Sequence, residues 1–277
     1  SCPRVWNGEI YGDVQRTNWF EGDDGVMDGA GAIIRSCNPY YWQLSVTLNS
    51  TDPSLLPDYS QLFGFGSLTG LRGVAEEPGF IPTPETRAQQ GFTWGQSDAS
   101  NLVIGQGDMQ VTPLQTARMI AAIANDGQLM TPYLVERVQL IGEDPSYVAE
   151  PSGEDLGLNP EVLAGVRQAM CDVTMIPRGT ANFAYGQWYE FQNQAVFVCG
   201  KTGTAEAGGN APPHAWFGAF APADDPEIAI AVIVENSCEG SEVAAPLVRR
   251  IVELYYGLPE YGFPSFWQSG CSEIVVE

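Results

Sequence analysis

The sequence predicts an α+β fold in which helices cover an antiparallel sheet. Segments with the apolar period of a helix come first, strand-like segments follow after Gly179, and one helical segment closes the pattern. With 277 residues, 44% hydrophobic and 17% charged, the chain is long and apolar enough for a substantial core. We expect a single domain over 1–277, with a loop-rich lead-in over 1–30 and a C-terminal extension over 258–277.

The first helical stretch covers about 29–48 and is interrupted at Asn38-Pro39. Because a residue before proline avoids the helical conformation, the stretch predicts one helix ending near Ser36 and another starting after it. Turn signals and short elements fill 50–110.

The next helix has a strong start signal. Thr112 is a good N-cap, Pro113 suits the first helical position, and Gln115 can close a capping box. The helix is expected to run to about Asn125, with Gly127 just past its end.

An acidic loop separates this helix from a second one that begins at Asn159-Pro160. Four apolar residues lie at helical spacing along it: Leu163, Val166, Met170 and Val173.

Three strands are predicted over 195–205, 215–221 and 227–235. Their connections at 208–213 and 222–226 are short and rich in Gly and Pro, which favours an antiparallel meander.

The closing helix is expected over about 243–256, with Pro246 in its first turn. One side is predicted to carry its apolar residues, Leu247, Val248, Ile251, Val252 and Tyr255.

The charge of the chain excludes some functions. Thirty-four acidic residues against 12 Lys and Arg give a net charge of -22, which argues against nucleic acid and against an anionic membrane surface. The longest apolar run, 228–234, is seven residues, far below the ~20 needed to span a bilayer.

Lys201 is the only lysine in the chain, and it opens Lys201-Thr202-Gly203-Thr204 within a predicted strand. In a strand, Lys201 and Gly203 face one way and the two threonines the other. The ammonium group can attract an anionic ligand, and Gly203 lets that ligand lie against the backbone. The alternative is a solvated lysine at a strand edge.

Ser36-Cys37-Asn38 is a second candidate motif. A serine and an asparagine two residues apart at a helix end can present a hydroxyl and an amide to one cleft. Taken alone, the triplet is equally typical of a helix C-terminal turn. Its combination with Lys201-Thr202-Gly203-Thr204, a three-strand segment and a closing helix is much rarer.

Over about 30–257 the chain resembles the transpeptidase domain of penicillin-binding proteins of the monofunctional class B type. The stretches that carry the resemblance are 36–41 (SCNPYY), 63–66 (FGFG), 105–107 (GQG), 111–115 (VTPLQ), 179–181 (GTA), 200–206 (GKTGTAE) and 214–222 (HAWFGAFAP).

The resemblance implies acyl transfer through a serine ester. In the family, the serine of an S-x-x-K motif attacks the penultimate D-Ala carbonyl of a peptidoglycan stem peptide, D-Ala leaves, and an amine resolves the acyl-enzyme. By motif position, Ser36 would relay a proton to the leaving nitrogen and Asn38 would bind the substrate backbone. Lys201 would hold Ser36 and supply field for the substrate carboxylate.

The same resemblance assigns the substrate-binding strand to Thr202, Gly203 and Thr204. Both threonine hydroxyls would bind the substrate carboxylate, and the Thr204 N–H would be an oxyanion donor. The implied ligands are the stem peptide and β-lactam antibiotics, and the implied partners are cell-wall synthesis proteins. The location would be extracytoplasmic, with a membrane anchor outside this chain.

The chain departs from the family because a sequence with one lysine cannot contain S-x-x-K. We expect the nucleophilic serine, and the remaining strands of the sheet, upstream of this chain, so that the fold is incomplete at its N-terminal side. This chain alone is expected to be inactive. Ser1 as an N-terminal nucleophile is a disfavoured alternative.

Two rival functions stay open. One is a hydrolase of the same superfamily, either a D,D-carboxypeptidase or a class D-like β-lactamase, although the second β-lactamase motif usually ends in Val where Asn38 stands. The other is a non-catalytic scaffold or β-lactam sensor. An S-x-x-K directly upstream favours the enzyme, and its absence favours the scaffold.

Neither a metal nor a cofactor is predicted. The six cysteines are far apart, and the lone His214 leaves no two-histidine site, so His214 is expected at the rim or in a structural role. Core or local disulfides are possible pairings, but Cys37 and Cys199, which flank the predicted site, are expected to be reduced and buried.

Overall fold

A computed structural model describes residues 1–7 and 15–263 of the chain. The helices are α1 (Gly29–Arg35), α2 (Asn38–Thr51), α3 (Leu55–Leu62), α4 (Pro84–Gln89), α5 (Gln96–Leu102), α6 (Pro113–Ala124), α7 (Pro160–Met175), α8 (Asn182–Phe191) and α9 (Ala244–Tyr256). The strands are β1 (Val5–Trp6), β2 (Arg16–Thr17), β3 (Gln128–Met130), β4 (Arg137–Val138), β5 (Tyr147–Val148), β6 (Gly153–Asp155), β7 (Cys199–Ala205), β8 (His214–Ala221) and β9 (Ile228–Val234).

The three strands β7, β8 and β9 form an antiparallel sheet in sequence order. Lys201 pairs with Gly218, and Ala215 pairs with Val234. The predicted meander is therefore confirmed. Three short two-stranded ladders, β1–β2, β3–β6 and β4–β5, lie elsewhere in the described chain.

Helices cover both faces of this sheet, because successive side chains of a strand point to opposite faces. Phe217 and Ala219 of β8 pack into a cluster with Trp188 of α8 and Val248 of α9. Phe220 points the other way, into a cluster with residues of α6 and α7, including Ile120 and Met170. The α+β fold with a helix-covered antiparallel sheet is confirmed.

Local signals located α6 and α7 correctly. The Thr112 hydroxyl accepts a hydrogen bond from the Gln115 N–H at 3.1 Å, and the Gln115 side chain accepts from the Thr112 N–H at 2.8 Å, which is the predicted capping box. Asn159 caps α7 through its side chain, which accepts from two backbone N–H groups. The predicted helix break at Asn38-Pro39 is also confirmed, since α1 ends before Ser36 and α2 starts at Asn38.

The predicted apolar side of the closing helix was partly wrong. In α9, Ile251 and Tyr255 are 37% and 55% exposed, whereas Arg249 and Glu253 are each only 1% exposed. Each of these two charged residues finds an oppositely charged neighbour along the helix, which makes their burial possible. The helix is therefore rotated so that it buries charge as well as Val248.

Cys37 and Cys199 are both fully buried, as predicted, but the prediction that they are reduced was wrong. Cys37 forms a disulfide with Cys2, and Cys199 forms one with Cys171. The lead-in packs against α1 and brings Cys2 to Cys37, while α7 packs against β7 and brings Cys171 to Cys199. These pairings depend on tertiary packing that the cysteine spacing does not reveal.

Some expectations reach beyond the described residues. Within the lead-in, 8–14 is not described, and the predicted extension 258–277 is described only to residue 263. Over 1–7 and 15–263, no helix combines the length and apolar character that a membrane crossing requires. The same part of the chain holds no cluster of three or more His, Cys, Asp or Glu side chains placed for a metal ion.

Candidate active site

Ser36 lies at the C-terminal end of α1 and is held there by its backbone. Its φ and ψ are 51° and 47°, in the left-handed region, so the chain turns sharply before α2. The Trp19 indole N–H donates to the Ser36 carbonyl at 2.9 Å. The adjacent Cys37 is fastened to the lead-in by its disulfide with Cys2. The Ser36 hydroxyl is thus presented from a turn that is tied on both sides.

Lys201 reaches Ser36 from the sheet. Its Nζ lies 2.8 Å from the Ser36 Oγ and 2.8 Å from the Thr202 carbonyl oxygen, and it can donate to both. The disulfide of Cys199 ties the start of β7 to α7, two residues before Lys201. The structure therefore brings together two motifs that are separated by 165 positions in the sequence.

Burial shifts the chemistry of this lysine. Removal of the ammonium group from water lowers the pKa of Lys201 from 10.5 to about 8. Among the described residues, no carboxylate lies within ion-pairing distance of Lys201 to reverse that shift. An amine with a pKa near 8 can both hold and release a proton close to neutral pH, which suits proton exchange with the Ser36 hydroxyl.

The edge of β7 that faces away from β8 is the second part of the site. The Thr202 and Thr204 carbonyls accept from Lys201 Nζ and from Gln106 Nε2, at 2.8 and 3.2 Å, so both point to this outer edge. In a strand, the N–H and C=O of one residue point to the same side. The Thr204 N–H is therefore also directed outward, where it can donate to a ligand oxygen.

The hydroxyls of the two threonines have partners of their own. Thr202 Oγ1 lies 2.8 Å from Thr180 Oγ1, and either can be the donor. Thr204 Oγ1 donates to a Glu239 carboxylate oxygen at 2.6 Å. Thr180 and Gln106 fall in stretches on which the family resemblance rests, whereas no sequence signal pointed to Glu239.

A cleft of about 1060 Å³ joins these groups. All six predicted site residues line it: Ser36, Asn38, Lys201, Thr202, Gly203 and Thr204. Its wall also carries Arg16 and three acidic residues, Glu206, Glu239 and Glu242. Burial and the neighbouring Glu239 raise the pKa of Glu242.

His214 does not line the cleft. It starts β8 opposite Ala205, and its Nδ1 accepts a hydrogen bond from the Asn236 N–H at 3.1 Å. This contact fastens the turn after β9, which agrees with a structural position for the single histidine.

Comparison with known proteins finds a match between this chain and one protein family. The family model of the penicillin binding protein transpeptidase domain matches residues 4–253. The chain is 30% identical over 259 residues to the peptidoglycan D,D-transpeptidase MrdA of Haemophilus influenzae, covering 86% of this chain and 38% of that relative. The chain therefore spans about two fifths of that protein.

Two solved structures are also similar. One concerns the structural coordination of polymerization and crosslinking by a peptidoglycan synthase complex. It matches with a TM-score of 0.77 and 32% identity, and the match covers 94% of this chain and 42% of that one. The other is the penicillin G acyl-enzyme complex of penicillin-binding protein A from M. tuberculosis, with a TM-score of 0.69, 27% identity, and coverage of 92% and 55%.

Proposed function

Because this chain belongs to the penicillin-binding protein transpeptidase family, we propose that it forms the Ser-x-Asn and Lys-Thr-Gly side of a peptidoglycan D,D-transpeptidase site. The observation that carries the proposal is the 2.8 Å contact between Lys201 Nζ and Ser36 Oγ at the wall of the cleft. A solvated lysine at a strand edge is not expected to hydrogen-bond to a hydroxyl on a different element or to have its ammonium group removed from water.

In the proposed reaction, a serine that lies outside residues 1–277 gives its hydroxyl proton to the lysine of its S-x-x-K motif and attacks the penultimate D-Ala carbonyl of a stem peptide. The serine O–C bond forms, the amide C–N bond breaks, and the leaving nitrogen takes its proton from the Ser36 hydroxyl. Lys201 returns a proton to Ser36, which its lowered pKa permits near neutral pH. An acceptor amine then attacks the ester, so that a new amide C–N bond forms and the ester C–O bond breaks. The amine gives up a proton through Ser36 to Lys201, and the released serine takes its proton back from the S-x-x-K lysine.

The other residues of the site position the donor peptide. The outward Thr204 N–H would stabilise the carbonyl oxygen as it gains charge, and loss of such a donor typically costs ~10²–10³ in rate. Asn38 would bind the substrate backbone. Gly203 leaves room for the peptide along β7. Thr202 would bind the peptide carboxylate, and Thr204 would do so once its hydroxyl is released from Glu239.

The relatives support this activity. Penicillin-binding protein A from M. tuberculosis forms an acyl-enzyme with penicillin G, and we infer that the protein carrying this chain is acylated by β-lactams in the same way. The synthase complex among the similar structures supports cell-wall synthesis proteins as partners. An extracytoplasmic location fits the Cys2–Cys37 and Cys171–Cys199 disulfides, because such bonds persist in oxidising compartments.

Intact-mass measurement after incubation with penicillin tests the proposal. The 277-residue chain is expected to stay unmodified, and a protein that also carries the upstream S-x-x-K serine is expected to gain one penicillin. In that longer protein, Lys201→Ala should lower the second-order acylation rate by on the order of 10²-fold, a barrier increase of about 2.7 kcal/mol.

Three outcomes would count against the proposal. An adduct on the 277-residue chain would place the nucleophile among its own serines. Acylation of Lys201→Ala within about threefold of native would make the Lys-Thr-Gly motif structural. A parent sequence without S-x-x-K would favour the scaffold or sensor.

A further inference from the structure

The Thr204 hydroxyl is already committed within the protein. Thr204 Oγ1 donates its single proton to a Glu239 carboxylate oxygen at 2.6 Å, and it lies 3.4 Å from the Gly240 N–H, from which it can accept. A hydroxyl with its proton bound to one carboxylate has none to offer a second. In this state, Thr204 cannot donate to the carboxylate of a ligand.

Glu239 is held in this position by the backbone around it. A Cβ on Gly240 would lie 2.1 Å from the Gly203 carbonyl oxygen and 2.2 Å from that of Trp216, so only glycine allows this segment to lie so close to the sheet. The Glu239 carbonyl accepts from the Val243 N–H at 3.0 Å, and the Gly240 carbonyl from the Ala245 N–H at 2.9 Å. The start of α9 thus carries the Glu239 carboxylate to the end of the cleft.

We propose that Glu239 is a specificity-determining residue of the transpeptidase site, because its carboxylate occupies the position at Thr204 that a ligand carboxylate would take. The inference rests on the proposed function and deepens it. A donor peptide that ends in a free carboxylate binds only by displacing Glu239 from Thr204. A donor that is neutral at this end avoids that step.

Electrostatics makes the displacement unfavourable. Two carboxylates that share one donor repel each other, and they coexist only if one moves away or takes up a proton. Glu242 adds a further negative charge to the same part of the cleft wall. Glu239 therefore weakens the binding of a donor carboxylate, even though Lys201 supplies a positive charge nearby.

The composition of the chain gives a direct test. Because Lys201 is the only lysine, growth on [¹⁵N]lysine labels one backbone amide, and this amide lies in the site. Titration with a peptide ending in D-Ala–D-Ala, and with its C-terminal carboxamide, gives two dissociation constants from that signal. The ratio of these two dissociation constants measures the preference of the site for a free carboxylate over a carboxamide.

In the native 277-residue chain, the carboxylate peptide is expected to bind no more tightly than the carboxamide. Glu239→Ala should shift the ratio toward the carboxylate by about tenfold or more, because it frees the Thr204 proton and removes the repulsion. Glu239→Gln should give a smaller shift, since its amide oxygen can still accept from Thr204. Glu242→Gln, the matched control, removes one charge from the same cleft and should change the ratio by no more than about twofold.

The possible failures can be told apart. If both peptides bind but Glu239→Ala leaves their ratio unchanged, or if Glu242→Gln shifts it as much, the role of Glu239 is refuted and the proposed function stands. If neither peptide perturbs the Lys201 signal in the native chain or in any variant, the inference about Glu239 fails, whereas the proposed function is decided separately by acylation of the longer protein.

Discussion

Two cations of this protein are removed from water to different degrees. Arg249 in α9 is 1% exposed, and it lies 3.7 Å from Glu253 while donating to the Ala184 and Gly262 carbonyls at 2.8 Å each. Within the part of the chain that the structure describes, Lys201 in β7 hydrogen-bonds only to the Ser36 hydroxyl and the Thr202 carbonyl, beside an open cleft.

Desolvation lowers the pKa of both groups, but the consequence differs. Arg249 keeps its charge, because even a lowered arginine pKa stays far above neutral pH and a nearby carboxylate favours the cation. Lys201, without a carboxylate, has a pKa of about 8. A buried cation that is paired with a carboxylate and with carbonyls stabilises one packing arrangement, whereas a cation that has no carboxylate beside it at a cleft is available for chemistry.

The largest expected effect comes from breaking the Arg249 cluster. Arg249→Met should lower the free energy of unfolding by about 3 kcal/mol or more, because Glu253 and two carbonyls lose a buried partner. Urea denaturation measures this change. Arg167→Met is the matched control, since Arg167 pairs with Asp126, whose side chain is 81% exposed, and it should cost less than about 1 kcal/mol.

The double variant Arg249→Met/Glu253→Leu refines this prediction. If Arg249 acts by compensating a buried charge, removing both charges should recover most of the lost stability. A double variant as unstable as Arg249→Met would mean that the arginine stabilises α9 through packing instead, and the comparison with Lys201 would fail.

Substitution of Lys201 is expected to change the free energy of unfolding in the opposite direction to substitution of Arg249. Lys201→Met should raise the free energy of unfolding at pH 7 by about 2 kcal/mol, after allowance for water in the open cleft, because a partly desolvated charge is removed. The folded-state pKa of about 8 lies below the unfolded value of 10.5. The native chain therefore gains stability as the pH rises from about 8 to 10.5, and its difference from Lys201→Met should shrink over that window.

Paired urea titrations at pH 7 and pH 10 measure the shrinkage. A difference between native and Lys201→Met that stays constant across these pH values would show that Lys201 is not desolvated in the folded state.

The contrast between local and long-range interactions explains how much of the fold and of the site could be predicted from the sequence. The capping box of Thr112 and Gln115 is local, so the start of α6 followed from neighbouring residues. The Ser36–Lys201 contact joins distant segments, and it was expected only through a family resemblance. Helix α8 was missed because Gly186 lies within it and its buried aromatic residues, such as Trp188, are equally typical of strands.

The burial of Arg249 in α9 and the contact of Glu239 with Thr204 were not predicted, for a common physical reason. Arg249 and Glu239 are charged, and a sequence pattern assigns charged side chains to the solvent. Their actual positions depend on partners that only the folded chain supplies, such as the Ala184 carbonyl for one and the Thr204 hydroxyl for the other.

The smallest effect is expected at the helix ends of the two regions. Both α1 and α9 end in a left-handed residue, but α9 ends at Gly257, with φ 63°, and α1 at Ser36, with φ 51°. This conformation costs a side-chain-bearing residue roughly 1 kcal/mol and costs glycine little.

Ser36→Gly and Ser36→Ala both remove the hydroxyl that contacts Lys201, so a stability difference between them isolates the contribution of the backbone. We expect the glycine variant to be more stable by about 1 kcal/mol in urea denaturation, and Gly257→Ala to lose a similar amount. Equal stabilities for the two Ser36 variants would show that the serine is unstrained. The expected difference would instead mean that the cleft retains a strained serine where glycine would give the more stable helix end, as Gly257 does in α9.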